Sequence, residues 1–372
     1  MPSMPSGETD PASRRLPPPQ QPIGTPRVSV VVPVYNRGAS LRWTLDSVLA
    51  QSYPSFEVIV VDDGSSDDSA ACVATNYPGI RLIRQERNRG AAAAVNRGVA
   101  AARGELIALL DSDDLWSPDK LTLQVEDFDL HPEVGVSFTD ITYGRSGVGT
   151  LYSWLYPLDP GRLLEQLMEE NPALPSAVMV RKRDFERVGG YAEDIGSAYD
   201  RDLLLRLAVL GPFRFLPVPL VRRVVRRDAL SRASSPGDRD FVLVVERFLG
   251  RPEGAPWRAK AQYLFAYQQF RIGARRALAG DWQRGLASIG QGVRQDPLVA
   301  FRHPPGRRLV RTMLGAALET AGARFARLAG ERIGAAARWR LHRLLGRVGL
   351  GEPVRRYVPP GVSFRPPPDA PE

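Results

Sequence analysis

Four short apolar runs separated by helical patterns constrain the fold of this chain more than any other feature. Val28 to Val34, Phe56 to Asp62, Ile80 to Arg84 and Leu106 to Leu110 are rich in β-branched residues and read as strands. Between them Leu41, Leu45, Val48 and Leu49, and later Ala91 to Ala102, recur at helical spacing. Strands that are apolar on both faces and joined by helices predict a mainly parallel sheet with right-handed crossovers. Ligands of such sheets bind beyond the carboxyl ends of the strands.

The pattern becomes mixed past His131. A strand is expected over Val134 to Thr139, a helix near Leu163 to Glu170, a strand over Ala177 to Arg181 and a helix over Tyr199 to Leu210, with Pro212 to Val225 returning to the sheet. From Phe241 onward the chain reads helical, with Trp257 to Ala279 and Trp282 to Arg294 separated by Gly280-Asp281 and closed by Pro297. Eight of the first 26 residues and seven of the last 20 are proline, too little apolar content for a core. The expected organisation is therefore a proline-rich tail over 1–26, an α/β domain over 27–240, a helical region over 241–350 and a second tail over 351–372.

Composition narrows the function classes. The net charge of +9 sits in one place, because residues 301–350 hold 11 Arg and no Lys against Glu319 and Glu331, and everything else sums to zero. A basic surface across the whole molecule is not expected. With Cys72 as the sole cysteine and His131, His303 and His342 scattered, a cysteine-built zinc site is excluded and any metal must be held by carboxylates. No apolar run reaches the roughly 18 residues of a membrane span, and Met1 to Thr25 lacks the apolar stretch of a secretory signal. A cytoplasmic protein is expected.

Three acidic clusters carry the chemistry. The second strand runs into Asp62-Asp63-Gly64-Ser65-Ser66-Asp67, the fourth into Asp111-Ser112-Asp113-Asp114, and Asp200 and Asp202 open a helix. Asp and Ser after a strand are ordinary turn and cap residues. Three carboxylates within four positions, flanked by Leu109-Leu110 and Leu115-Trp116, are harder to explain that way, because packed like charges cost free energy unless a cation or solvent relieves them. Such oxygens suit Mg(II) or Mn(II), which keep waters and bridge substrate phosphates.

The residues Val28-Ser29-Val30-Val31-Val32-Pro33-Val34-Tyr35-Asn36, then Ser47 to Tyr53, then Val60-Val61-Asp62-Asp63-Gly64-Ser65-Ser66-Asp67 resemble the opening of the family 2 glycosyltransferases. The likeness continues through Asn88-Arg89-Gly90, Asn96-Arg97-Gly98, Gly104-Glu105 and the Asp111 to Asp114 loop, which matches that family's DXD motif. It resumes at Gly189-Gly190-Tyr191 and Asp200 to Arg206, covering about residues 28–225. The resemblance implies a GT-A fold, with a Rossmann-like, mainly parallel sheet, that moves a sugar from a nucleoside-diphosphate sugar with inversion. It implies a nucleotide pocket lined by Pro33, Tyr35, Asn36, Asp63, Asn88, Gly90, Asn96, Asp111 and Ser112. Tyr35 would stack on the base, Asp63 would accept a pyrimidine imide hydrogen, Asp111 would approach the ribose or the metal, and Asp113 would ligate Mg(II) or Mn(II). The base would be Asp200, with Asp202 or Glu193-Asp194 as substitutes. Trp116 and Arg206 are candidates for the sugar or acceptor side, and each has a competing role in bracing the fold.

No transmembrane helix and no Gln-x-x-Arg-Trp motif of the processive synthases is present in the sequence, so a non-processive enzyme of surface polysaccharide or glycoconjugate assembly is expected. Its partners would be a nucleoside-diphosphate sugar, with uridine favoured, and a glycan or lipid-linked acceptor. The Arg-rich stretch 301–350, with apolar residues at helical spacing from Leu309 to Leu345, suits peripheral contact with an anionic bilayer. Nucleic acid is disfavoured because Phe301, Phe325 and Trp339 are the only aromatics there. Two other readings compete: a sugar nucleotidyltransferase, which lacks support from a Gly-rich phosphate loop after the first strand, and a non-catalytic binding module, which the retained Asp111, Asp113 and Asp200 oppose.

Overall fold

The computed structural model describes residues 24–143, 150–151, 158–169, 171–223, 236–278 and 281–299. Strands β1 (Val28–Val34), β2 (Phe56–Asp62), β3 (Arg81–Arg84) and β4 (Leu106–Leu109) alternate with helices α1 (Gly38–Leu49), α2 (Ser69–Asn76) and α3 (Ala91–Ala101). There follow β5 (Leu115–Trp116), α4 (Lys120–Leu130), β6 (Val136–Tyr143), β7 (Thr150–Leu151), α5 (Leu163–Glu169), β8 (Val178–Arg181), α6 (Lys182–Arg187), α7 (Tyr199–Leu207) and β9 (Phe213–Arg223). Three helices close the described part: α8 (Pro236–Gly250), α9 (Ala261–Leu278) and α10 (Trp282–Gln295).

All strands join one sheet in the order β3-β2-β1-β4-β8-β6-β9-β5, with β7 on β6. β1 pairs in parallel with β2 and β4, β2 with β3, and β6 with β9, while β8 runs antiparallel to both β4 and β6. Two reversals restore the direction, so β6 and β9 point the same way as β1 and β4. The ends of β1, β2, β4 and β9 therefore share one edge.

Alternation along each strand divides the core. Val31, Ile59, Val61, Ile107 and Leu109 pack on one face against α3, α7, α8 and α9. Val30, Val32, Val58, Val60 and Ala108 pack on the other against α1, α2 and α4. Each of these Val, Ile and Leu side chains contributes about 1.5–3 kcal/mol by leaving water. Helix α3 lies so close that a Cβ at Gly98 would stand 2.5 Å from Val31 Cγ1, which explains the run of alanines beside it.

The departures from the sequence expectations have local causes. The expected strand at Val134 starts at Val136, because the Val134 amide closes a turn on His131 O at 3.1 Å. Trp257 does not begin a long helix: residues Pro252–Lys260 form a 3₁₀ run around Pro256, and the α-helix begins only at Ala261. The two-residue strands β5 and β7 and the short α6 carry too little periodicity to be read in advance. The boundary expected at residue 240 falls inside α8, and Val244, Val245, Phe248, Tyr263, Leu264 and Tyr267 belong to the same apolar cluster as Val31 and Ile59. Both proline-rich tails, apart from residues 24–26, and the Arg-rich stretch 301–350 lie outside the described residues. No helix among the described residues is long and apolar enough to cross a membrane.

One buried cation stands out. Lys120 is fully buried, donates to Gln124 Oε1 at 2.6 Å and sits 4.0 Å from the Trp116 ring centroid. Burial pushes its ammonium well below the ordinary lysine value. Between that lowered value and the unfolded one, about 10.4, the unfolded chain binds a proton that the folded chain does not, so stability rises with pH across this window. Lys120→Met is expected to stabilise the protein by about 1–3 kcal/mol at neutral pH. Urea unfolding as a function of pH should show that gain shrinking as the medium approaches the unfolded lysine value, and a variant less stable at every pH would refute the account.

Candidate active site

The loops at the common strand edge are held by side chains that the sequence marks. Tyr35, just past β1, is 45% exposed. Asn36 takes a left-handed backbone with φ of 52°, a conformation that Asn tolerates. Its Oδ1 accepts the Ser66 amide at 2.9 Å, and its own amide donates to Ser65 Oγ at 3.0 Å, so it clamps β1 to the loop after β2. Pro33 stands opposite Val61 within the sheet.

Asp63 is buried and organises the neighbouring loop. It accepts the Gln85 side-chain amide, the Arg89 amide and the Gly90 amide, each at 2.8 Å. A carboxylate has about four acceptor directions, so one remains. Loss of solvent raises the carboxyl above its ordinary value, and the two backbone amides work against that rise. Gly64, with φ of 72°, makes the turn possible: a Cβ there would stand 2.7 Å from the Arg87 carbonyl carbon. Asn88 accepts the Gly90 amide at 3.1 Å. Asn96 acts as a tether, donating to Tyr191 O at 2.9 Å and accepting the Tyr191 amide at 2.8 Å.

The loop after β4 concentrates negative charge. Ser176 joins it to the start of β8: its Oγ accepts the Asp111 amide at 3.1 Å and its hydroxyl donates to Asp114 at 2.6 Å. Asp111 is pushed up to about 7, first by loss of solvent and then by the charge of Asp113, with Asp200 adding to the rise and Arg223 opposing it. Asp114 is raised well above its ordinary value by burial and by both neighbouring carboxylates. Ser112 is buried, and its carbonyl accepts the Ser40 hydroxyl at 3.4 Å. Among the described residues, no three His, Cys or carboxylate side chains converge as a metal cage. The donor set still fits a divalent ion. Mg(II) and Mn(II) take one or two carboxylates together with substrate oxygens and water, and a cation relieves the crowding that lifts Asp111.

Asp200 enters from α7. Ala198, with φ of 59°, turns the chain into the helix, and Asp200 accepts the Arg201 amide at 2.8 Å and the Asn171 side-chain amide at 2.7 Å. Burial raises its carboxyl, while the Arg201 amide and the charges of Arg201 and Arg223 pull it back. Tyr199 packs edge-on against Tyr191, with ring centroids 5.0 Å apart. Asp111 thus lies within electrostatic reach of both Asp113 and Asp200.

The other candidates are engaged elsewhere. Asp202 binds Arg206 through Nε at 2.9 Å and Nη2 at 2.5 Å, and Arg206 also donates to Val188 O at 2.6 Å. This buried pair braces α7. Glu193 pairs with Arg89 at 3.1 Å, and Asp194 pairs with Arg247. Trp116 is 3% exposed and donates from its indole nitrogen to Ser176 O at 2.8 Å, as a member of the core. The sequence reading did not single out Ser176, Asn171, Arg223 or Tyr191 as site residues. Asn171 and Ser176 flank Pro172 and Pro175, and that proline-bounded segment was the only available signal.

Comparison with known proteins agrees with this architecture. The family described as Glycosyl transferase family 2 matches residues 29–189. An uncharacterised protein of Mycobacterium tuberculosis is 37% identical over 217 residues, covering 53% of this chain and 67% of that one. The chondroitin synthase of Escherichia coli is 30% identical over 212 residues, covering 55% of this chain, which spans only 30% of that longer protein. Among solved structures, the mannosyltransferase PcManGT of Pyrobaculum calidifontis, in complex with GDP-Man and Mn2+, superposes with a TM-score of 0.53 at 20% identity, covering 91% of this chain and 90% of that one. On its motifs, its sheet and these matches, the chain belongs to glycosyl transferase family 2.

Proposed function

We propose that this chain transfers a sugar from a nucleoside-diphosphate sugar, UDP-linked by preference, to a hydroxyl of a glycan or lipid-linked acceptor, one residue at a time and with inversion. The observation that carries the reading is the half-buried Asp111 at the carboxyl edge of the sheet, within reach of the charges of both Asp113 and Asp200. Asp113, with Asp111 beside it, would hold Mg(II) or Mn(II), which when bound offsets the charge of the departing diphosphate. Tyr35 offers an exposed aromatic face to a base. Asp63 keeps one acceptor direction for an imide hydrogen, which discriminates because a wrong base leaves a buried acceptor unpaired.

Asp200 then acts as the base. It removes the proton from the acceptor hydroxyl, the freed oxygen attacks the anomeric carbon, and the bond to the diphosphate breaks with its electron pair leaving on the phosphate oxygen. Attack opposite the leaving group inverts the centre. Asn171 and the Arg201 amide fix both carboxylate oxygens, so the base is oriented before the acceptor arrives. Surface polysaccharide or glycoconjugate assembly is the setting we favour, supported by the chondroitin synthase relative.

Titrating the protein with UDP, dTDP, GDP and ADP, with and without Mn(II), tests the donor site. One diphosphate should bind in a metal-dependent way, and Asp113→Ala should weaken it by at least about tenfold. Asp200→Asn should lower kcat by about 10²–10⁴-fold while leaving that binding nearly unchanged. Retained turnover would move the base elsewhere.

The pH profile supplies a separate check. Because burial raises the Asp200 carboxyl, the acidic limb of kcat/KM should lie above the usual Asp value of about 3.9, with activity lost as pH falls through it. Asn171→Ala removes a donor to the charged form and should move that limb upward. An unmoved limb would separate Asn171 from the base.

A further inference from the structure

Very few buried polar side-chain atoms among the described residues lack a hydrogen-bond partner, and two of them are neighbours. They are Arg222 Nη1 on β9 and Thr142 Oγ1 on β6. The two residues stand opposite each other in the β6–β9 pairing, and Arg222 also stands opposite Leu115 of β5. Arg222 is 8% exposed and Thr142 is 2% exposed. The side chain of Arg222 makes no hydrogen bond, ion pair or ring contact among the described residues. Asp140, two positions before Thr142, forms no ion pair with it, and it is Arg223 whose charge reaches Asp111, Asp114 and Asp200.

Strand parity gives the direction. Val221, Ile141 and Trp116 lie in the cluster under α1 and α4, so Arg222, Thr142 and Leu115, each one position along, leave the sheet on the opposite face. That face carries α7 and Asp200. The position is near the carboxyl end of β9, at the same edge as Asp63 and Asp111, and Leu115 directly follows Asp114. Three strands, β4, β8 and β6, separate β9 from β1, so the pair lies on the far side of the crevice from the loops of Asn36 and Asp63.

We propose that Arg222 and Thr142 form a subsite for an oxyanion, a phosphate or a carboxylate, carried by the acceptor. An unpaired guanidinium is expensive to bury, and its planar fork with an adjacent hydroxyl supplies the donors that such an anion accepts. Burial lowers the guanidinium from its ordinary value with nothing opposing, as expected of a cation whose counterion arrives with a ligand. The assignment to the acceptor rests on the proposed function, because the donor occupies the other half of the crevice in that reading.

The test uses the full chain with UDP and Mg(II) present to fill the donor site, and follows thermal unfolding while inorganic phosphate or glucuronate is added to the wild type, Arg222→Gln and Arg222→Lys. One of the two anions should stabilise the wild type. Phosphate would indicate a phosphate-linked acceptor, and glucuronate would indicate a uronic-acid glycan. The concentration needed should rise at least about tenfold in Arg222→Gln, with the UDP response unchanged. Arg222→Lys keeps the charge without the fork and should fall between the two; it carries the test alone if the Gln variant does not fold. Equal anion responses in wild type and variant, no response to either anion, or a clear fall in the unliganded melting temperature of the folded Gln variant would each overturn the proposal. A missing UDP shift would instead count against the donor site, and the anion comparison would still be read separately.

Discussion

The hydroxyl of Ser176 holds the two halves of this molecule in register. It donates to Asp114 and receives the Asp111 amide, and so fixes the loop after β4, the last strand of the parallel half, to the start of β8, the first strand of the antiparallel half. Because Asp114 is buried, removing the Ser176 hydroxyl would take a hydrogen bond from an acceptor that water reaches poorly. Trp116 reinforces the joint by donating to the Ser176 carbonyl. Together with the β4–β8 ladder, these contacts fix the loop that carries Asp111 and Asp113 against the second half of the sheet.

Around that joint the site is built from opposed costs. Burial and mutual repulsion lift the Asp111 and Asp114 carboxyls, Arg223 lowers them, and Asp200 is raised by burial and drawn down by the amide and charge of Arg201. Asp202, on the same helix as Asp200, is neutralised by Arg206 with two nitrogens. Asp200, held by amide donors, and Asp202, held by a guanidinium, sit two residues apart on one helix.

The parallel half was legible because it depends on local pattern. Four short apolar runs, of which β1, β2 and β4 are buried on both faces, with Leu41, Leu45 and Val48 at helical spacing, specify strands and helices almost by themselves, and acids at strand ends then fall at one edge by topology. Asp111, Asp113 and Asp200 stand out in the sequence by this pattern and by the family motifs. The partners of these residues were hidden, since Asn171 and Ser176 act across 29 and 62 residues of sequence and ordinary turn residues carry no periodic signature. The bracing role of Arg206 was one of two open readings, and helical spacing alone could not decide it; the i,i+4 pair with Asp202 does. Arg222 was read only as part of a strand, because its lack of a partner is a property of three-dimensional packing.

The apolar cluster that runs from the sheet through α7 into α8 and α9 has a further consequence. Leu203, Leu204 and Leu207, which follow Asp200 along α7, are packed in that cluster together with Val244, Phe248 and Tyr267. The helices after residue 236 are thus the backing plate of α7, the helix that carries Asp200. A chain shortened at the sequence boundary of residue 240 would keep every motif of the family and lose the surface against which α7 rests, so an exchange of these helices between relatives would alter the aim of Asp200 while leaving each acid of the crevice in place.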